Sequence, residues 1–118
     1  MRVRRDWLLV DKLWNVYGLT DFDLDGYVFY VGVTQFDVAT RLAQHRTDPN
    51  SAAYGHIKYI EDIGARVGYC VFAKCQKAAA FHLENALIVA LPHLLNRTNE
   101  RAGDAFWQPF VGVRFYAS

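Results

Sequence analysis

The sequence has few cysteines, and their spacing fits neither a redox pair nor a zinc site. Cys70 and Cys75 are the only two in 118 residues, and on a strand a separation of five places them on opposite faces. A CxxC pair is absent, and the four histidines do not cluster with the cysteines as a four-ligand zinc site requires. We therefore predict two reduced, buried thiols in a cytoplasmic protein.

Long apolar runs and low-complexity linkers are also missing. The apolar stretch at residues 7–10 is too short for a signal sequence or a membrane span. No Pro-, Gly- or Ser-rich stretch divides the chain. The sequence predicts one domain over residues 1–118, with a core at about 13–97 and an aromatic C-terminal extension at 98–118, in the cytoplasm and without membrane contact.

Neither sign of charge dominates the chain. It has 13 Lys and Arg against 12 Asp and Glu, a formal net charge of +1, so any binding of nucleic acid must use local basic clusters. Apolar residues, in contrast, are abundant. With 53% hydrophobic and 15% aromatic residues, the chain can form a packed core without disulfides.

Hydrophobic periodicity predicts three strands and three helices. The strands are expected at residues 12–20, 27–33 and 66–74, the first two joined by the turn-forming residues 21–26. The helices are expected at about 36–46, from about 50 to 64, and at about 77–91. The fold class is therefore α/β in the α+β sense: a small three-stranded antiparallel sheet flanked by helices, in the order β-β-α-α-β-α. The C-terminal extension is expected to add a strand or to pack on the core.

Capping residues predict where the first two helices begin. Thr34 to Asp37 has the form of a capping box before the first helix. Asn50 or Ser51 is the expected N-cap of the second helix, which should stop at Gly64.

Two tyrosines occupy strands of the predicted hairpin. Tyr17 and Tyr30 are near corresponding points of the two strands, so their hydroxyls could approach each other on one face. Simple alternation puts Tyr30 with Val28 on that face and Phe29 with Val31 on the other. Tyrosines in strands often serve packing alone, so packing stays open as an alternative.

Glu84 lies on the apolar stripe of the last helix. It precedes Leu87 and Ile88 by three and four positions, and burial of an unpaired carboxylate is unfavourable unless a cation compensates it. A half-buried salt bridge and a metal ligand both satisfy this requirement. The sequence pattern leaves both open.

Arg41 and His45 are one helical turn apart and therefore share a face of the first helix. A solvated helix edge explains such a pair as well as a site does. An anion brought by a second element would favour the site.

These positions together resemble the motifs of the GIY-YIG endonuclease superfamily. Asn15-Val16-Tyr17 is similar to the family's Gly-Ile-Tyr, and Tyr30-Val31-Gly32 to its Tyr-Ile-Gly. The other matching positions are Arg41 and His45 on the next helix, Glu84 on a later helix, and Asn96 twelve residues beyond. The resemblance covers about residues 13–97. Two departures are Asn15 in place of the first glycine and Val33 where some members have a lysine.

The resemblance implies a metal-dependent nuclease that hydrolyses phosphodiester bonds in nucleic acid, with DNA as the expected polymer. Glu84 would hold one divalent cation, Mg²⁺ or Mn²⁺, and Arg41 would pair with the scissile phosphate. Either Tyr17 or Tyr30 would activate the water, a role that requires neighbouring positive charge because the ordinary tyrosine pKa is near 10.

The resemblance gives the two remaining positions supporting roles. His45 would orient a tyrosine or share its proton, and Asn96 would tie the loop after the last helix to the site.

Recognition is expected to depend on a few basic side chains. Arg41, Arg46, Lys58 and the basic arm at residues 2–5 would contact nucleic acid, with low sequence specificity or with help from a partner or a dimer. The alternative is a nucleic-acid-binding or regulatory module that keeps this fold but does not cut.

Overall fold

The computed structural model describes residues 13–23, 27–91, 94–95 and 113–117. In chain order its elements are β1 (Trp14–Asp21), β2 (Tyr27–Thr34), α1 (Val38–Thr47), α2 (Tyr54–Asp62), β3 (Val67–Cys75), α3 (Lys77–Ala90) and β4 (Phe115–Ala117). The protein is a small α+β domain, and each predicted strand and helix up to α3 is found within a few residues of its expected position.

The strands form one antiparallel sheet in the order β2-β1-β3-β4. The prediction that the first three strands share a sheet is confirmed, but the predicted number of strands is wrong. Tyr116 of β4 pairs with Tyr69 of β3, so the C-terminal extension supplies a fourth strand that covers an otherwise unpaired edge. Of the predicted hairpin turn, residues 24–26 lie outside the described residues.

Two β-bulges change which side chains share a face. One lies where Leu19 and Thr20 of β1 meet β2, so that Phe29 has no partner of its own. Phe29 therefore belongs to the core cluster that Tyr30 also contacts, and Val28 belongs to the cluster that contains Val31. The predicted strict alternation along this strand is wrong, because the extra residue reverses the pleat.

The second bulge affects the cysteines. It lies where Val16 and Tyr17 pair with β3, and it leaves Phe72 between the paired residues Val71 and Ala73. Cys70 and Cys75, predicted to lie on opposite faces, both contact one core cluster. Both are free thiols, as predicted, but only Cys70 is fully buried and Cys75 is partly exposed. Burial raises the pKa of Cys70 to about 12.

The first helix begins about two residues later than predicted. Its N-cap is Asp37, whose carboxylate accepts a hydrogen bond from the backbone N–H of Thr40 at 3.3 Å. The expected capping box at Thr34 is wrong: the Thr34 hydroxyl accepts from the N–H of Phe36 at 3.0 Å and closes a turn ahead of the helix.

The second helix also begins later, at Tyr54. Neither predicted cap, Asn50 or Ser51, is the N-cap, which is Ala53 and has no side-chain capping bond. Ser51 instead accepts from the N–H of Ala53 at 3.1 Å within the α1–α2 connection. The predicted end of this helix is confirmed, because Gly64 has a φ of 85°, the left-handed conformation that commonly terminates helices.

The sheet separates two core clusters. On the helix-pair face, α1 and α2 pack over side chains that include Tyr17, Leu19 and Phe29. On the single-helix face, α3 packs over side chains that include Val16 and Val31. Tyr17 and Val16 are consecutive, so the two clusters are on opposite sides of the sheet.

No helix in the described part of the chain is long and apolar enough to cross a membrane.

Candidate functional site

A buried hydrogen bond joins Tyr17 and His45. The Tyr17 hydroxyl is 2.8 Å from Nε2 of His45, and each residue is 1% exposed. Tyr17 extends from β1 and His45 from the buried stripe of α1, which also contains Val38 and Leu42. The sequence left open whether His45 lies at a solvated helix edge or in a site. Its side chain is inside the domain, and its hydrogen-bond partner Tyr17 is 28 positions earlier in the chain.

Gly32 makes room for the Tyr17 ring. It is the β2 residue opposite Tyr17, and a Cβ atom at Gly32 would lie 2.6 Å from the Tyr17 hydroxyl oxygen and 2.8 Å from Cζ. Such contacts are far inside van der Waals distance. Packing thus explains why the Tyr30-Val31-Gly32 motif needs a glycine, because the Tyr17 phenol lies directly against the Gly32 backbone.

Tyr30 completes an aromatic cluster around His45. Its ring centroid is 6.4 Å from that of Tyr17 and 5.0 Å from the His45 ring, which it meets edge-on at 68°. The two tyrosines therefore share the helix-pair face, as the sequence predicts. The bulge between Leu19 and Thr20 lies beyond the residue pairs that contain the two tyrosines, so it leaves both tyrosines on one face and places Phe29 on the same side.

Arg41 and Glu84 act electrostatically on this cluster. Burial raises the pKa of Tyr17 well above its ordinary value, with Tyr30 and Glu84 adding to the rise and Arg41 opposing it. The pKa of Tyr30 is likewise raised by burial, opposed by Arg41 and reinforced by Glu84. Opposite charges from two helices thus act on both phenols. The candidate site consists of five side chains: Tyr17, Tyr30, Arg41, His45 and Glu84.

Arg41 supplies part of the positive charge that activation of a tyrosine requires, but in the metal-free protein the net pKa of each tyrosine is raised. Arg41 does favour the phenolate, but desolvation of Tyr17 and Tyr30 outweighs it. Both phenols are held in the protonated form. Either phenol could take a proton from water only if another group accepts the phenol's own proton.

His45 is a neutral imidazole at ordinary pH. Burial lowers its pKa from 6.5 to about 4, and the nearby Arg41 acts in the same direction. A neutral imidazole has one free lone pair, so His45 can accept a proton. Its second ring nitrogen, Nδ1, is 2.5 Å from the hydroxyl of Ser51.

Ser51 is a site neighbour that the sequence interpretation missed. The only signal for it was a general preference of serine for helix N-caps, which gave it a different role. Its contact with His45 depends on how the α1–α2 connection folds, and no local pattern encodes that.

The Glu84 carboxylate is partly buried, and burial raises its pKa. Within the described ranges it has neither a hydrogen bond nor an ion-pair partner. A structural salt bridge is therefore not formed with any described residue. A partly buried carboxylate without a protein cation is the type of group that binds an external one.

The donor set of the candidate site fits one type of metal. Among the residues that the structure describes, no three His, Cys, Asp or Glu side chains form a group that could hold an ion. Mg²⁺ often binds through one or two carboxylates, with water and substrate phosphate completing its shell. Glu84 fits this pattern.

Arg41 and the other predicted basic contacts differ in their surroundings. Arg41 donates from Nη1 to Oε1 of Gln44 at 2.8 Å, next to the site. Arg46 forms a salt bridge with Glu61 of α2 at 3.0 Å. Lys58 is exposed on α2.

Some predicted residues fall outside the described ranges. They are Asn96 and the basic arm at residues 2–5.

Comparison of the chain with family models, with curated proteins and with solved structures returns no match in any of the three.

Proposed function

We propose that the protein is a metal-dependent endonuclease that hydrolyses phosphodiester bonds in nucleic acid, with DNA as the expected polymer. The observation that carries this proposal is the arrangement of the candidate site. The Tyr17, Tyr30 and His45 rings lie together, and the Arg41 guanidinium and the Glu84 carboxylate, which has no ion-pair partner among the described residues, act electrostatically on both phenols. These five residues are among the positions that resemble the GIY-YIG motifs.

Each group has a role in phosphodiester hydrolysis. The Arg41 guanidinium would pair with two oxygens of the scissile phosphate through its planar fork. Glu84 would hold a divalent cation, Mg²⁺ or Mn²⁺, which when bound stabilises negative charge on the phosphate and on the leaving oxygen.

The hydrogen bond between Tyr17 and His45 favours Tyr17 over Tyr30 as the residue that activates water. The Tyr17 hydroxyl is buried in the free protein, so this role requires that bound nucleic acid bring the attacking water to its oxygen. The phenol, whose raised pKa keeps it protonated, would then accept a proton from that water while it gives its own proton to Nε2 of His45. The hydroxide so formed attacks phosphorus, and the bond to the leaving oxygen breaks. Negative charge from the bound phosphate would raise the His45 pKa from its low value and assist the transfer.

The second candidate is a module that binds nucleic acid without cutting it. The observation in its favour is that burial holds both tyrosines in the protonated form. In that case Arg41 would bind phosphate and the tyrosines would serve packing.

A cleavage assay separates the two candidates. Labelled duplex, single-stranded and branched DNA and single-stranded RNA are incubated with the protein in Mg²⁺, in Mn²⁺ and in chelator. We expect cleavage of at least one substrate with metal and none with chelator. Binding without cleavage under every metal condition would favour the non-cutting module, and neither binding nor cleavage would contradict both.

Arg41 variants identify the site in the same assay. We expect Arg41→Ala to lower the cleavage rate by about 10²-fold or more, and Arg41→Lys to restore little, since lysine lacks the fork. Arg66→Ala is the matched control, because Arg66 is an exposed arginine paired with Asp23 at 2.6 Å and has no contact with the site. Equal rates for the Arg41 and Arg66 variants would contradict the assignment.

A further inference from the structure

Three polar side chains form a chain of hydrogen bonds that begins at the Tyr17 hydroxyl. Tyr17 Oη is 2.8 Å from His45 Nε2, and His45 Nδ1 is 2.5 Å from Ser51 Oγ. Ser51 Oγ in turn accepts from the backbone N–H of Ala53 at 3.1 Å. Because a neutral imidazole carries a single N–H, only one of its two nitrogens can be the donor.

Two arrangements of protons satisfy these distances. In the first, Tyr17 donates to Nε2, and Nδ1–H donates to Ser51. In the second, Ser51 donates to Nδ1, and Nε2–H donates to the Tyr17 oxygen. The second arrangement leaves the Tyr17 hydroxyl proton without an acceptor. The first arrangement requires another acceptor for the Ser51 hydroxyl proton.

Burial distinguishes the two arrangements. Tyr17 is 1% exposed, and in the described part of the chain the only acceptor hydrogen-bonded to its hydroxyl is Nε2 of His45. Ser51 is only partly buried, so its hydroxyl can donate to water. A buried donor without an acceptor destabilises the fold, whereas a donor that reaches water does not. The first arrangement is therefore favoured.

We infer that Ser51 is a positioning residue whose hydroxyl oxygen accepts the Nδ1 proton of His45 and thereby keeps the Nε2 lone pair directed at Tyr17. This orientation matters for the chemistry if the proposed function holds, because the transfer from Tyr17 requires a free lone pair on Nε2. The same bond fixes the rotation of the ring, since both ring nitrogens are held.

Nitrogen NMR of the imidazole tests the inference without any substrate. In protein labelled with ¹⁵N, long-range coupling to the ring protons identifies each nitrogen, and a bare nitrogen resonates well downfield of a protonated one. We expect His45 to show a protonated Nδ1 and a bare Nε2 at neutral pH. A protonated Nε2 would overturn the inference, whatever the protein cleaves.

Variants of Ser51 test its part in fixing the tautomer. We expect Ser51→Ala to give a mixture of tautomers and to lower kcat by about 10- to 100-fold with little change in KM. Ser51→Thr keeps the oxygen and should restore both. Wild-type tautomer and kcat in a folded Ser51→Ala protein would overturn the inference. If Ser51→Ala does not fold, Ser51→Cys, with a weaker acceptor, replaces it and is judged by the same two readings.

Thr34→Ala is the matched control. Thr34 accepts from a backbone N–H two residues ahead, as Ser51 does, but does not contact His45. We expect this variant to be less stable while the His45 tautomer and kcat are unchanged. If no nucleic acid is cleaved by the wild type but the NMR result is as expected, the proposed function fails and the role of Ser51 in fixing the tautomer stands.

Discussion

The two faces of the sheet bury different kinds of side chain. The helix-pair face holds a hydrogen-bonded chain that runs from the buried Tyr17 and His45 to the partly buried Ser51, next to an apolar cluster. The single-helix face holds a cluster of mainly apolar side chains, such as Val16, Val31 and Phe72. Buried polar groups stabilise a fold little and require partners, whereas aliphatic burial is directly favourable. The candidate site lies on the face with the polar chain, and the other face contributes mainly apolar burial.

Glu84 connects the two faces. It belongs to α3, whose apolar side chains Leu83 and Leu87 pack on the single-helix face, yet its carboxylate acts electrostatically on the phenols of the opposite face. The apolar face therefore fixes the helix that delivers the proposed metal ligand.

The largest expected effect concerns acid stability. Folding lowers the His45 pKa from 6.5 to about 4, so unfolding takes up a proton in this range. The free energy of unfolding is therefore unaffected by this group above pH 6.5. It falls by up to about 3 kcal/mol as pH falls toward 4, because the proton binds the unfolded chain more readily. Urea unfolding at pH 7 and pH 4.5 should show a steeper loss for the wild type than for His45→Leu.

His56 provides the control for that measurement. Its pKa is also lowered by burial, but it contacts Phe29 and Tyr59 outside the candidate site. His56→Gln should keep most of the wild-type pH dependence. Equal slopes for wild type and His45→Leu would mean that His45 is not buried as a neutral group, and the contrast between the faces would lose its main support.

A smaller effect is expected from the glycine beneath Tyr17. Gly32→Ala forces a Cβ atom to within 2.6 Å of the Tyr17 hydroxyl, and strain of this kind typically destabilises by about 1–3 kcal/mol. We expect a lower midpoint of urea unfolding and weak cleavage, because the phenol must move away from His45.

Gly55→Ala is the opposite case. An added Cβ there meets nothing within 4 Å, and Gly55 lies within α2, where alanine is preferred. This variant should be more stable by roughly 0.5–1 kcal/mol. Similar losses at both glycines would show that the Tyr17 contact is not what makes Gly32 necessary.

The smallest effect is expected at the surface. Glu61→Gln removes the exposed salt bridge to Arg46 and should change stability by less than about 1 kcal/mol. If Arg46 contacts nucleic acid, oligonucleotide affinity should rise in Glu61→Gln, and Arg46→Ala should lower the salt dependence of binding by about one unit of slope. Asp23→Asn, which breaks the other exposed pair, should leave affinity unchanged.

Most of the fold was predictable because its signals are local. Apolar alternation located β1, β2 and β3, and helical spacing located α3 to within a residue. The site was predictable only through the resemblance to known motifs. Taken singly, Tyr17, Arg41 and Glu84 each had an ordinary structural explanation, and their convergence is a tertiary property.

The remaining features depend on pairing between distant segments. The bulges near Leu19 and Phe72 have no composition signal, yet each reverses the side-chain alternation of its strand. The net direction of the Tyr17 pKa could not be predicted, because the sequence shows neighbouring charges but not the extent of burial. Ser51 was missed for the same reason, since its partner is fixed by the path of a loop.

The most direct test of the central claim is a paired measurement on Glu84→Gln. We expect metal-dependent cleavage to fall by about 10²-fold or more, the scale for loss of one electrostatic stabiliser. Because burial raises the Glu84 pKa, its charge does not stabilise the metal-free fold, and the melting temperature in chelator should be equal or higher. Asp62→Asn, an exposed carboxylate on α2, serves as the control and should cut normally. A Glu84→Gln protein that cuts at the wild-type rate, or that loses activity only because it unfolds, would contradict the account.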